Sequence, residues 1–526
     1  MTPPHSVPDV TAPDDTAPGA AGPDVSAPGV SDLAWVRRTD HVLRSDRSRV
    51  VATIFLPGQE MVASGRSRSP GVLDRVLALS DDEVEAELTQ LAVSFAGRHR
   101  RLEDSWDAHF LRMEHRLVGA PPASPSRRRL IGAYFTQEFA VEAAALFNPS
   151  MVPHPDQTGL PPDSTRFLMT VRVLGEGHRS SMEMRTGVVA ADDVVTFDPL
   201  PSVAMRSTAS AGRYSRSAFQ HQLDELGGDQ TNSAFVLGVL GPQFGRDELD
   251  AALGDLRDQR LTRGSAVRTV DQFERIAACT YEATFPADSA VQERVLMPQG
   301  PNESSGVEDV RMVRFDAADV GAEYLGTYTA YDGRDIAMQL LRTRDFAHFS
   351  STPLSGPGAR NKGLALFPRK VGDRYLALSR ADRESNSVSA SDDLLHWEKP
   401  VVVQRPERGW ELVQLGNCGS PIETEEGWLV LTHGVGAMRT YSVGALLLDL
   451  DDPTRVLGRL ERPMLTAIGD ERSGYVPNVV YSCGAMLHGR TLVLPYGCSD
   501  SATRIALVDL DALLDELRPG RVRITS

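Results

Sequence analysis

Tyr324-Leu-Gly-Thr-Tyr-Thr329, Tyr375-Leu-Ala-Leu-Ser-Arg380 and Trp428-Leu-Val-Leu-Thr-His433 are three copies of one pattern, an apolar run that ends in polar or aromatic residues. Phe167-Leu-Met-Thr-Val-Arg172 and Leu492-Val-Leu-Pro-Tyr496 bring the set to five. Gly372-Asp373, Glu426-Gly427 and Gly489-Arg490 place a turn ahead of three copies, and a second strand candidate follows, such as Ser387 to Ser391 or Ser442 to Leu448. The later copies recur at intervals of roughly 50 residues, and repeats of that length holding several short strands are the signature of propeller blades. The pattern predicts a mainly β chain folded as a five-bladed β-propeller with an N-terminal helical extension. A β-sandwich also produces short alternating strands, but not this repeat.

Outward from the repeats the texture changes. Residues 190–305 separate the first copy from the second and are expected to form a long insertion, with Asp247 to Leu261 as a surface helix. Upstream, Ser80-Asp81-Asp82-Glu83 is a capping box followed by Val84, Leu88, Leu91 and Phe95 at helical spacing. A further helix is expected over Arg127 to Phe147. The first thirty residues hold seven prolines and no Lys or Arg, so 1–30 reads as a disordered tail without the basic and apolar regions of a secretory signal. The expected division is a Pro-rich tail at 1–30, an N-terminal strand and helical module at 31–146, and the propeller at 147–526.

The chain of 526 residues carries 55 Lys+Arg against 71 Asp+Glu, a net charge of −16. It has no general attraction for nucleic acid or anionic membranes, although a local basic pocket for a small anion is compatible with it. Only Lys362, Lys370 and Lys399 are lysines. Cys279, Cys418, Cys483 and Cys498 form no CxxC pair, which suits a reducing compartment and a cytoplasmic location. Neither HExxH, GxSxG nor a P-loop occurs, so no metal or organic cofactor is expected. Gly416-Asn417-Cys418-Gly419 is a loop signal only.

In a propeller, equivalent strand ends converge on a central channel. Taking the repeated segments as the innermost strands, their ends supply Arg172, Tyr328 with Tyr331, Ser379 with Arg380, His433, and Tyr496 with Asp500. That mixture suits a sugar or an oxyanion. Glu303-Ser-Ser-Gly-Val-Glu-Asp-Val-Arg311 adds acids. Strand alternation allows only one of Glu308 and Asp309 to face the channel, and a channel acid in a partly desolvated site is expected to have the raised pKa of a general acid.

Phe147-Asn148-Pro149, Gly306-Val-Glu-Asp-Val-Arg311, Leu366-Phe367-Pro368, Ser391-Asp392-Asp393-Leu394 with Trp397, His433-Gly434-Val435, Leu447-Leu-Asp-Leu-Asp-Asp-Pro453, and Tyr496-Gly497 with Asp500 occur in order. Together they resemble glycoside hydrolase family 130, the mannoside phosphorylases and related β-mannosidases, over roughly Phe147 to Leu514. The resemblance implies a five-bladed propeller and inverting cleavage of a β-mannoside, with Asp309 as the acid. Inorganic phosphate is the co-substrate and α-mannose 1-phosphate the product. It places Lys362 and Arg380 on phosphate, and Asn148, Arg172, Arg311, His433, Tyr496 and Asp500 in contact with sugar or in support of the site. Where the family commonly shows His-Arg, this chain has Ser379-Arg380, and Val310 stands where proline is common. Arg342 and Arg344 lie near the region of the family's other phosphate arginines and serve equally well as blade-edge charges. The expected function is a β-mannoside phosphorylase acting on short mannosides, with an inverting β-mannosidase and a non-catalytic carbohydrate-binding propeller as alternatives. The helical front is a plausible contact for a homo-oligomer.

Overall fold

The structure, a computed structural model, describes residues 33–57, 68–117, 122–260, 264–317 and 321–518; the tail expected at 1–30 lies outside them. The fold is mainly β. Each repeated segment lies in the second strand of an antiparallel unit. The first unit runs Ala145–Pro153, Thr165–Leu174, Ser180–Val189 and Val195–Phe197. The second runs Gly306–Ala317, Gly321–Tyr331, Ile336–Thr343 and His348–Pro353, and the third Ala365–Leu366, Tyr375–Ser379, Asn386–Ser391 and Val401–Gln404. A fourth contains Gln414–Asn417, Gly427–Val435, Tyr441–Leu448 and Val456–Arg459.

The last unit is built from both ends of the chain. Val480–Tyr481, Thr491–Cys498 and Ala502–Asp509 pair in order, and the outer strand is Val36–Arg44, with Val36 opposite Val508 and Arg44 opposite Ala502. The last unit also touches the first, since Cys483 N donates to the Pro149 carbonyl and Met151 N to that of Gly484. First and second units join where Gly306 pairs with Ser180. A Cβ at Gly306 would sit 2.1 Å from Ser180 Oγ, so a larger residue at this crossing would push the serine hydroxyl aside.

The innermost strands are not the repeated segments but the strands that precede them. Met312 N donates to Ser150 Oγ, and Asn417 Nδ2 donates to the Gly363 carbonyl at 2.5 Å. These first strands therefore meet one another, and the longer repeated strands lie behind them. The alternating side chains of the second strands fill the cores between sheets, such as Leu429, Leu431, Leu492, Leu494 and Tyr496.

The N-terminal module departs from its expected form. The helix Asp81–Ser94 starts at the Ser80 capping box as expected, but the helix expected over 127–147 spans only Pro125–Tyr134. Thr136–Ala140 is a strand paired with Val50–Ile54, and Ala145 already belongs to the first unit. Tertiary pairing overrides the helix propensity of the Ala-rich stretch, and the division at 146/147 falls inside a strand. Between Thr136–Ala140 and Ala145–Pro153, Glu142 is fully buried. Arg49 Nε lies 2.9 Å and Arg185 Nη2 2.6 Å from Glu142 Oε1, while Arg49 Nη2 and Arg185 Nη1 lie 2.9 and 2.8 Å from Glu183 Oε2. Two arginines and two glutamates thus fasten the module to the first unit.

The insertion is a helical layer. Arg216–Glu225, Gln230–Val239, Arg246–Arg260 and Gly264–Ala278 pack around Phe219, Phe244, Leu253 and Phe273. The expected helix at Asp247 is one of them.

Candidate active site

Two irregular strands bring the central acids together. The register of Ala145–Pro153 shifts between Phe147 and Ser150, and that of Gly306–Ala317 between Glu308 and Arg311. At each bulge an Asx residue takes a left-handed backbone, Asn148 at φ 50° and Asp309 at φ 54°, the conformation that Asn and Asp tolerate best after glycine. Asn148 Nδ2 donates to Asp309 Oδ1 at 2.7 Å. The bulge also breaks the alternation that would send Glu308 to the opposite face. Arg172 Nη2 donates to Glu308 Oε1 at 2.6 Å and Arg172 Nη1 to Asp309 Oδ1 at 3.2 Å, so both acids face one arginine. The sequence expectation that only one of them can do so is corrected.

Lys362, in the loop before Ala365–Leu366, donates to Glu308 Oε2 at 2.5 Å. Arg311 is buried beneath the acids. Its guanidinium holds the Asp309 carbonyl at 2.9 Å, Asn417 Oδ1 at 3.3 Å and the Tyr481 hydroxyl at 2.6 Å. It fixes the bulge from below, in support of the site. Asn417 and Tyr481 were missed by sequence reasoning; the only signal was the Gly416-Asn417-Cys418-Gly419 loop.

Arg380 differs from the other cations. Its guanidinium reaches the Leu415 carbonyl at 3.5 Å and His433 Nε2 at 3.3 Å, and its buried Nε has no hydrogen-bond partner. No carboxylate pairs with it among the described residues. His433 is itself buried, with Nδ1 3.3 Å from the Asn417 carbonyl. Burial, then the charges of Arg380 and Arg311, push its pKa well below the usual imidazole value. The neutral ring therefore donates from Nδ1 and accepts from Arg380 at Nε2. A Cβ at Gly416 would sit 2.2 Å from this ring, so glycine makes room for it. The imidazole beside Arg380 comes from position 433; Ser379 Oγ is bonded to the Gly358 carbonyl.

Asp500 occupies a left-handed turn residue (φ 49°) between Thr491–Cys498 and Ala502–Asp509. Burial and then the Asp309 charge raise its pKa to about 6, against the lowering influence of Arg172 and Arg439. Asp309 behaves oppositely. Burial raises its pKa, but Arg172, Arg311 and Lys362, with the Asn148 hydrogen bond, outweigh it and hold the group at about 2. The raised pKa expected of the Asp309 carboxyl is thus found on Asp500 instead.

Three expected positions lie elsewhere. Tyr496 faces the core behind the inner strands, its hydroxyl donating to Glu471 Oε1 at 2.7 Å and accepting from Arg38. Strand alternation explains this, since its neighbour Gly497 is the residue that faces Asn148. Tyr328 bonds Glu303 and Ser351 in another buried cluster. Arg342 pairs with Glu323 at 3.6 Å. The buried Cys418 thiol, pushed up to about 12 by burial, is no nucleophile.

A family model described as beta-1,4-mannooligosaccharide phosphorylase matches residues 287–518. The chain is 32% identical over 224 residues to a 1,2-beta-oligomannan phosphorylase of Thermoanaerobacter sp. (strain X514), covering 41% of this chain and 72% of that protein. It is 30% identical over 284 residues to a beta-1,2-mannobiose phosphorylase of Listeria innocua serovar 6a, covering 51% and 77%. A beta-1,2-mannobiose phosphorylase of the same Thermoanaerobacter strain is 33% identical over 221 residues, covering 41% and 70%. With the bulged Glu308-Asp309 pair in place and relatives matched over most of their own length, the chain belongs to glycoside hydrolase family 130.

Proposed function

We propose that this protein is an inverting β-mannoside phosphorylase built on a five-bladed β-propeller. Five successive antiparallel units whose first strands meet, the last closed by Val36–Arg44, support the propeller. In the proposed reaction Asp309 gives its proton toward the glycosidic oxygen, directly or through a hydroxyl of the mannose. Phosphate attacks the anomeric carbon from the opposite face, forming the C–O bond of α-mannose 1-phosphate as the bond to the leaving sugar breaks. The buried Asn148 Oδ1, which lacks a hydrogen-bond partner, is suited to accept from a sugar hydroxyl.

The observation that carries phosphorolysis is Arg380, a cation with no carboxylate partner among the described residues, in a site that also holds Lys362. Gly363, next to Lys362, lies against the Arg380 side chain. A phosphate anion completes this arrangement, because charge-assisted contacts to Arg and Lys both bind and orient it. It needs no general base, and the chemistry needs no cofactor. Relatives named for β-1,2-linked mannosides make β-1,2-mannobiose the first substrate to test.

A hydrolytic reading rests on Asp500, a second acid that is ionised at neutral pH and acts on Asp309 electrostatically; such a carboxylate could activate water. The two readings separate on one experiment. With β-1,2-mannobiose, mannose 1-phosphate is expected to form in proportion to turnover, and turnover to vanish without phosphate. Release of two free mannoses at a rate indifferent to phosphate overturns the phosphorylase reading.

A further inference from the structure

An acid held at a pKa of about 2 is a poor proton donor at neutral pH. Something must relax the cations around Asp309 before it can act, and the contacts specify a route. Lys362, Glu308, Arg172 and Asp309 form one alternating chain of charges, with contacts of 2.5, 2.6 and 3.2 Å. Lys362 is the open end, with its side chain 38% exposed, while those of Glu308, Arg172 and Asp309 are 9%, 16% and 11% exposed.

We infer that Glu308 is a positioning residue which, through Arg172, couples anion binding at Lys362 to protonation of Asp309. The inference rests on the phosphorylase reading. A phosphate on Lys362 competes with Glu308 for the ammonium group. Glu308 then draws more fully on Arg172, its other partner, and Arg172 is correspondingly less available to Asp309. The incoming negative charge acts in the same direction. Asp309 takes up a proton from solvent only when the nucleophile is in place, so the site avoids a protonated acid standing beside the substrate with nothing to attack it.

The remaining groups around Asp309 do not supply this coupling. Arg311 stays on the Asp309 carbonyl, Asn417 and Tyr481. Asn148 is neutral, and so is His433 at neutral pH. Burial keeps the Tyr481 and Cys483 protons in place. Among the described residues Arg380 has no acid to pass a change on to. Asp500 is set against Asp309 and Glu308 by repulsion and also draws on Arg172 and Arg439, but makes no ion pair with Lys362, whose partner is Glu308.

Phosphorolysis of β-1,2-mannobiose, measured from pH 5 to pH 9 for wild type, Glu308→Gln and Glu308→Asp, tests the coupling. Removing the charge frees Lys362 for phosphate and leaves Arg172 wholly to Asp309. Glu308→Gln should therefore lower the KM for phosphate by a few fold while lowering kcat at pH 7 by about tenfold or more. The basic limb of the kcat profile should move about one unit toward acid, and Glu308→Asp should restore part of both. A higher KM for phosphate with an unmoved pH profile, or no change in either, overturns the inference. A second readout needs no variant: the Asp309 carboxyl, followed by infrared or NMR titration of the wild-type protein, should gain a higher pKa when inorganic phosphate is added, and an unchanged value overturns the coupling even where Glu308→Gln fails to fold. Phosphate-independent wild-type turnover overturns the functional reading and the inference with it. A phosphate-dependent wild type with an unmoved Glu308→Gln profile overturns the inference alone.

Discussion

The cluster around Arg49 and the cluster around Arg172 are both buried sets of arginines and acids, but the arginines of the first are all paired with acids, a closed set of cations although Glu183 Oε1 lacks a hydrogen bond, whereas the second includes a cation with no acid among the described residues. At Arg49 each guanidinium meets both glutamates, and the spare donors of Arg49 end on the Pro201 and Gln292 carbonyls. Around Arg172 the balance is incomplete. Among the described residues Arg380 has no acid, Asp500 is raised to about 6, and Asn148 Oδ1 and Arg172 Nε lack partners. Buried cations that are all paired with acids hold the protein together; one left without an acid is available to an anionic ligand.

The sharpest way to break this comparison is at Asp309. Asp309→Asn keeps the shape and the Asn148 neighbour but removes the proton, and should cut turnover by about 10³-fold with the circular dichroism spectrum little changed, while the melting temperature at neutral pH falls because the carboxylate that Arg172, Arg311 and Lys362 stabilise is gone. Residual activity near wild type would place the acid elsewhere. The closed cluster should respond in the other currency. Burial and the Glu183 charge raise the pKa of the Glu142 carboxyl to about 8, so Glu183 carries the negative charge of the cluster. Glu183→Gln leaves Arg49 and Arg185 undercompensated in a fully buried place and should cost about 3–5 kcal/mol of stability, read as a lower urea midpoint, with specific activity of the folded protein intact. A loss of activity at full stability would show that the closed cluster also serves the site.

Asp500 gives the smallest effect and the opposite sign. Its folded pKa of about 6 lies above the unfolded value of 3.8. The stability it contributes is present below pH 3.8 and is lost as pH rises through 6, where the ionised carboxylate is held at a cost. Asp500→Asn should therefore raise stability at pH 8 by about 2–3 kcal/mol, with no gain at pH 3.5, while lowering activity. Melting temperatures of both proteins at the two pH values check this. A uniform shift at both pH values would remove the charge from the account.

The sequence made the outer architecture readable and the inner one only partly so. The five segments from Phe167 to Tyr496 are strands because their apolar runs and preceding turns carry a local signal. The inner strands are short, as at Ala365–Leu366 and Val480–Tyr481, and have too few residues to show a period. This is why Tyr496 was assigned to the site and Tyr481 was not. The two bulges were also hidden, because nothing in a one-residue register shift alters composition. Asn148 and Asp309 are both Asx residues at shifted positions, and this shared residue type is the trace the bulges leave in the sequence. Thr136–Ala140 was read as helix because its partner, Val50–Ile54, lies far away in the sequence. The family resemblance supplied Asp309, Lys362 and Arg380, while the role of Glu308 came from contacts alone.

The pairing of Val36–Arg44 with Ala502–Asp509 also has a consequence for how the protein is made. A ribosome delivers the outer strand of the last unit before any of the other four units and its partner after all of them. Until then the strand waits with an unpaired edge while four units assemble beside it, and such edges are prone to pair with other chains. The final pairing joins segments far apart in the sequence, the slowest kind of contact to form, so completion of the last unit is expected to be a late event in folding.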